Sequence, residues 1–306
     1  MTSRLRPIFR GAFLALLRAI SVALSPLHRA PERLDTNPAD LERLRFETDA
    51  ELKRVIARRG PRSFTCVICG GSSITTWGIG ALRESILCLR CGSFNRQRQL
   101  ASVVLRHHPP HPTLRAFGAG AAKAGDPPRI YNTESYGAVH DALSPIPSYV
   151  SSEYLDAARV SGDVVGGQLH QDLQKTSFPD DAFDLVLSAD VFEHIPDPYR
   201  AHAEVMRILA PGGRHVMTVP IDLRAAADVT RASLDANGGI THHAEPEFHG
   251  DQLRPDGILV FTSFGRDMLD RCAALGFEVV VFQPRALSWG MFGANNFVIE
   301  LTKPRR

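Results

Sequence analysis

FDLVLSADVFEHIPDPYRAHAEVMRILAPGGRHVMTVP, residues 183–220, is the stretch that decides the fold. Leu185-Val186-Leu187 is a short apolar run of the kind buried on both faces of a parallel sheet. Asp197-Pro198 supplies an N-cap acceptor followed by a proline at the first helical position. Ala201, Val205, Ile208 and Leu209 then fall on one side of a helix, with Glu204 and Arg207 spaced as an i,i+3 ion pair. Pro211-Gly212-Gly213 ends that helix, since proline cannot continue it and glycine accepts a left-handed cap. Val216 to Val219 is a second apolar strand, closed by Pro220. A strand–helix–strand unit with a right-handed crossover predicts an open α/β sheet.

The run FDLV…EH…DP…E…R.L.PGG…TVP resembles the fourth strand, following helix and fifth strand of class I S-adenosylmethionine-dependent methyltransferases of the type 11 subgroup. The resemblance covers roughly residues 128–304. It implies a Rossmann-like, seven-stranded sheet whose last strand is antiparallel, with S-adenosylmethionine at the carboxyl ends of the strands. It does not name the methyl acceptor.

The chain has 306 residues, enough for one large domain and a smaller one. Lys and Arg total 35 against 33 Asp and Glu, so the net charge of +2 mildly disfavours nucleic acid as a partner. Four of the five cysteines form two CxxC pairs, Cys66/Cys69 and Cys88/Cys91, each followed by glycine. Two such knuckles make the tetrahedral four-sulfur site that zinc prefers, with no position left open for catalysis. The pattern predicts a structural Zn2+ in a zinc-ribbon-like module and a reducing, cytoplasmic compartment.

Ahead of that module, residues 1–62 read as a basic helical arm and linker. Arg4, Arg6, Arg10 and Arg18 surround a run too short to span a bilayer, so residues 1–30 are expected to touch membranes peripherally, if at all. Leu41 to Arg59 reads as a charged helix. Residues 63–106 are the zinc module with its following helix, in which Arg96 and Arg98 read as a solvated helix start in preference to phosphate contacts. Residues 107–127 read as a linker. Its Gly118-Ala-Gly120 is not a phosphate loop, because it precedes the first good strand.

Residues 128–304 are then the methyltransferase-like domain, and the resemblance places cofactor residues by strand order. Ile130 to Thr133 is its first strand, followed by Glu134, Ser135 and Gly137, where the family usually has a fuller GxG-type loop. Glu153, at the end of the second strand, is expected to accept the ribose hydroxyls. Asp172 and the amide of Leu173, after the third, are expected on the adenine ring. Asp190 lies at the pocket mouth with Glu193 and His194. His194 reads either as a base or substrate contact or as a structural histidine.

Residues 221–262 interrupt the pattern and are expected to form a lid over the carboxyl edge. The lid's density of His and Glu would suit a second metal, but Pro246 spoils a helical HxxE geometry. Glu247 and His249 therefore read as acid/base or substrate contacts. The leading expectation is a methyltransferase acting on a small molecule, glycan or lipid-linked sugar. The rivals are an RNA methyltransferase docked through the zinc module and a non-catalytic binding protein with a decayed cofactor loop.

Overall fold

The computed structural model describes residues 32–34, 63–74, 82–235, 237–250, 254–292 and 296–305. The segment 1–30, expected to touch membranes peripherally if at all, and the helix expected over 41–59 lie outside these residues.

Strand β1 (Glu32–Leu34) precedes a hairpin of β2 (Ser63–Thr65) and β3 (Ser72–Ile74). Helices α1 (Asn95–Arg106) and α2 (Leu114–Ala121) follow, then β4 (Ile130–Asn132), α3 (Gly137–Leu143) and β5 (Tyr149–Ser151). A small hairpin, β6 (Val164–Val165) with β7 (Gln168–Leu169), leads to β8 (Phe183–Ala189), α4 (Pro198–Ile208) and β9 (Leu209–Thr218). The insertion carries β10 (Val229–Thr230), β11 (Ala232–Leu234), β12 (Ile240–His242), β13 (Phe248–His249) and β14 (Ile258–Leu259). The chain closes with β15 (Thr262–Ser263), α5 (Asp267–Ala274), β16 (Glu278–Gln283) and β17 (Val298–Thr302).

Seven strands form one sheet in the order β1-β16-β17-β9-β8-β4-β5. β5, β4, β8 and β9 are mutually parallel, and β17 runs antiparallel between β9 and β16. The α4 crossover forms as its sequence dictates: Asp197 accepts from the Arg200 amide at 3.0 Å, Pro198 opens the helix, and Gly212 turns the chain at φ +81°. Arg207 Nη2 meets Glu204 Oε1 at 2.6 Å, the expected i,i+3 pair. Alternation along β8 separates two cores. Leu185 and Leu187 face α1, α2 and α3, while Val186 faces α4 and α5. A mixed seven-stranded sheet covered by helices fits a Rossmann-like methyltransferase fold.

Three sequence expectations need correction. The third strand does not join the sheet; Glu153 and His170 share only an isolated parallel bridge. The seventh strand is instead β1, which pairs antiparallel with β16 at the opposite edge and lies within the segment 1–62 expected to be a helical arm and linker. Nor is 107–127 merely a linker: it contains α2, whose Gly118 approaches α3 so closely that a Cβ would lie 1.9 Å from the Ala142 carbonyl oxygen.

The cysteine module is not a separate body either. Its Phe64, Val67 and Ile68 share a core with Leu100, Val104, Leu185 and Val216. Backbone amides of Leu114 and Arg115 donate to the carbonyls of Val67 and Ile68 at 3.0 and 2.9 Å, joining the first knuckle to the start of α2. No helix among the described residues is long and apolar enough to cross a membrane.

Candidate functional site

The four cysteines meet as their spacing predicts. Each knuckle closes on its own backbone, with Gly70 N donating to Cys66 O at 2.7 Å and Gly92 N to Cys88 O at 2.8 Å. Both glycines take positive φ, +74° and +70°. The sulfurs of Cys66 and Cys91 are 3.7 Å apart, and those of Cys69 and Cys88 3.8 Å. A tetrahedron with zinc–sulfur bonds of about 2.3 Å has edges of about 3.8 Å, so the donor set fits the ion. All five cysteines are free of disulfides, and Cys272 is buried in α5 outside the cluster. The hydrogen bond from Cys91, aided by one from Ser93, pushes the Cys66 thiol down to about 4 against the opposing effect of burial.

Arg98 sits fully buried beside these sulfurs, contrary to the solvated helix start expected for it. Its guanidinium donates to the carbonyls of Gly290 (2.9 Å), Ser93 (2.5 Å) and Ile86 (2.6 Å), and lies 4.9 Å from the centre of the Phe64 ring. Helix α1 therefore brings a fixed positive charge to the cluster.

Arg96, two residues earlier on the same helix, is half-buried at the carboxyl edge of the sheet. Its Nε lies 2.5 Å from Glu84 Oε1 and 3.3 Å from Asp190 Oδ2. Arg83 Nη2 meets Asp190 Oδ1 at 2.5 Å, and Thr218 donates to the same oxygen at 2.9 Å. Burial pushes the Asp190 carboxyl up, but the two guanidiniums together hold it below the usual carboxylate range. Asp190, expected to touch cofactor, is thus committed to a protein clamp. Its φ of +56° marks the sharp exit from β8.

The other expected cofactor residues line the ends of the neighbouring strands. Glu153 Oε1 accepts from the Ser135 amide (2.7 Å) and hydroxyl (2.8 Å), pinning the loop after β4 to the end of β5. Asp172 Oδ1 accepts from the Gln174 amide at 2.8 Å, closing its own turn, and Leu173 beside it is buried. Gly137 opens α3 at φ +84°, and a Cβ there would meet only Gln97 Nε2, at 3.7 Å. Glu134 accepts no side-chain hydrogen bond among the described residues. Burial pushes its carboxyl up to about 7, with Arg96 pulling it down and Glu153 and Asp190 pushing it further up. An acid that feels Arg96 but accepts no side-chain hydrogen bond, beside an open glycine, is a fitting cradle for a cationic group.

Several hydrogen bonds join the insertion to this edge. Arg254 donates to the carbonyls of Tyr154 (2.6 Å) and Leu155 (3.2 Å) beyond β5, and the Phe261 amide donates to Glu193 O at 2.8 Å beyond β8. His194, on the short helical turn Phe192–His194, and His249, on β13, come together with ring centres 5.0 Å apart. Glu193 is buried between them, its Oε1 3.7 Å from His194 Nε2 and 3.6 Å from His249 Nδ1. The Glu193 carboxylate, 3.6 Å away, raises the His249 imidazole above its ordinary range, burial opposes this, and Glu247 adds to the rise.

Sequence reasoning missed Arg83, Arg96 and Glu84 as members of the edge cluster, and gave Glu193 no role. Arg83 and Arg96 reach Asp190 across 107 and 94 residues, separations that carry no local pattern. Glu193 had a visible signal, an acid next to His194 inside an otherwise apolar turn.

Comparison with known proteins adds a family match. Residues 149–217, from β5 through nearly all of β9, match the family described as "Methyltransferase domain". An uncharacterized methyltransferase of Mycobacterium leprae is 31% identical over 119 residues, covering 37% of this chain and 44% of that protein. Another, from Mycobacterium sp. strain KMS, is 29% identical over 129 residues, covering 40% and 51%. The chain thus spans about half the length of the curated relatives it matches. Among solved structures, an S-adenosylmethionine dependent methyltransferase from Mesorhizobium loti aligns over 61% of this chain and 97% of its own, with 19% identity and a TM-score of 0.37. The matched residues include the β8–α4–β9 unit read from the sequence.

Proposed function

We propose that this chain is an S-adenosylmethionine-dependent methyltransferase whose acceptor is a small molecule, a glycan or a lipid-linked sugar. The observation that carries the reading is Glu134, an acid at the end of β4 whose side chain accepts no hydrogen bond among the described residues, beside the open Gly137. When bound, S-adenosylmethionine supplies an electrophilic methyl group on a cationic sulfonium. Glu134 attracts the cationic end of the cofactor, and Glu153 orients the loop through Ser135. Gly137 leaves room for backbone to approach. Asp172 and Leu173 border the adenine side, and the Arg83–Asp190–Arg96 clamp holds the floor between β8 and β9 rigid. Methyl transfer by in-line displacement depends mainly on alignment, so a lid that excludes water and a rigid floor suffice for much of the rate.

Calorimetric titration with S-adenosylmethionine and its demethylated product tests the reading. Saturable binding that Glu134→Gln weakens supports it; no affinity at millimolar concentrations removes it and favours a binding protein with a decayed cofactor loop. The cysteine cluster is proposed to hold one structural zinc, supported by sulfur spacings that match a tetrahedron. Its burial against α1 gives it a folding role, because the metal anchors the helix that brings Arg96 to the site.

A further inference from the structure

We propose that Glu193, His194 and His249 form a second metal site, a two-histidine, one-carboxylate face for a divalent first-row ion at the acceptor side of the cleft. Their ligand atoms all lie within 4.8 Å of one another. Bonds of about 2.1 Å in tetrahedral geometry require separations of about 3.4 Å, so the 3.6 and 3.7 Å contacts from Glu193 need close by only a few tenths of an ångström.

Three independent features point inward. Both carboxylate oxygens of Glu193 are buried without a hydrogen-bond partner, although the residue is only 1% exposed. Such a pair of acceptors is costly unless something cationic meets it. His194 Nδ1 bonds the Leu259 carbonyl at 2.9 Å, which fixes that nitrogen as the N–H and leaves the Nε2 lone pair facing Glu193. His249 Nε2 faces Glu247 at 3.3 Å, leaving Nδ1 toward the same point. An imidazole whose outer nitrogen is held by a carbonyl or carboxylate is the usual arrangement of a metal-bound histidine.

Two imidazoles and one carboxylate suit zinc, manganese, iron, cobalt or nickel, and three protein ligands leave positions for an oxygen of the acceptor. Asp190 is taken by its arginine clamp and is not a fourth ligand. The ion would also staple lid to sheet, because His249 comes from β13 and the other two from the turn after β8. The Pro246 objection to a helical HxxE site does not apply, since the ligands come from two separate segments.

The test is titration of the zinc-loaded chain with Mn2+, read by electron paramagnetic resonance, and with Co2+, read by its visible spectrum. Neither requires the methyl donor, so failure here is distinct from failure of the methyltransferase reading. The expected result is one further equivalent of either ion, the cobalt spectrum lacking thiolate charge transfer. Glu247→Gln, which removes only the outer carboxylate, should weaken binding about 10- to 100-fold. Glu193→Gln and His249→Ala should weaken it further, while His243→Ala, a lid histidine paired to Ser233 at 2.8 Å, should leave it unchanged. Retained zinc at the cysteines and an unchanged near-ultraviolet spectrum show that each variant folds. Absence of a second equivalent in the wild-type chain, or equal binding by Glu193→Gln and His249→Ala, overturns the proposal. Glu193 would then serve only as the partner of a protonated His249.

Discussion

Replacing Arg98 by methionine isolates what a buried guanidinium contributes to the cysteine centre. The side chain fills its site with good shape, and methionine keeps most of the stem packing while removing the charge and every donor. Two buried carbonyls, Gly290 and Ile86, lose their donor, while that of Ser93 keeps the Cys88 amide at 2.9 Å. At about 1–3 kcal/mol for each unsatisfied buried acceptor, and allowing for partial relaxation, the expected loss is about 2–4 kcal/mol. The second effect is electrostatic. Four thiolates around one Zn2+ carry a net charge of −2, and Arg98 is the buried cation beside them. Arg98→Met should therefore release zinc to a competing chelator faster than wild type, in step with the lowered urea midpoint. Arg98→Lys keeps the charge but not the planar fork, and should fall between the two in stability while retaining most of the zinc affinity. Urea unfolding followed by fluorescence, with zinc release followed by a chromogenic chelator, measures both. A cost for Arg98→Met below about 1 kcal/mol, with unchanged zinc release, would refute the reasoning.

Three further outcomes are expected. Protein purified without chelator should carry zinc at one equivalent in the cysteine centre by metal analysis; Cys272→Ala should leave that content unchanged, and Cys88→Ser should lower it. His202 is fully buried with neither ring nitrogen partnered, and burial pushes its pKa down to about 3. Below pH 6.5 the unfolded chain then binds a proton that the native state refuses, so stability falls as pH drops from 6.5 toward 3. Between pH 6.5 and 5 the loss is about 2 kcal/mol, and His202→Leu should flatten it in urea titrations at successive pH. Glu134, pushed up to about 7, keeps its proton to higher pH in the folded state than unfolded, so its share of stability declines as pH rises from about 4.5 to 7. A cationic ligand favours the ionised acid. S-Adenosylmethionine affinity should therefore rise between pH 6 and 8 with proton release, detectable calorimetrically in two buffers, and Glu134→Gln should abolish that dependence.

Features governed by short-range spacing can be read from the residues alone. The β8–α4–β9 unit was legible because capping, proline placement, the i,i+3 pair and the Pro-Gly-Gly turn act within a few residues of one another. The four cysteines were legible for the same reason, since each CxxC knuckle is a local object and only their pairing is long-range. The tertiary structure alone decided the rest. Strand β1 comes from a segment with no alternating pattern, and it joins the sheet because β16 offers it an open edge. The expected third strand fails because the chain after β5 turns into the β6–β7 hairpin, leaving a single bridge at His170. Arg96 and Arg98 looked like solvated charges because no acid lies at helical spacing from either. Besides nearer partners, Glu84 for Arg96 and the carbonyls of Ile86 and Ser93 for Arg98, they meet Asp190 and the carbonyl of Gly290, 94 and 192 residues away, only once the sheet has formed. Glu193 and His249 likewise meet only when the lid lies over the end of β8, because a side chain's chemistry is set by neighbours that folding, not sequence proximity, brings to it.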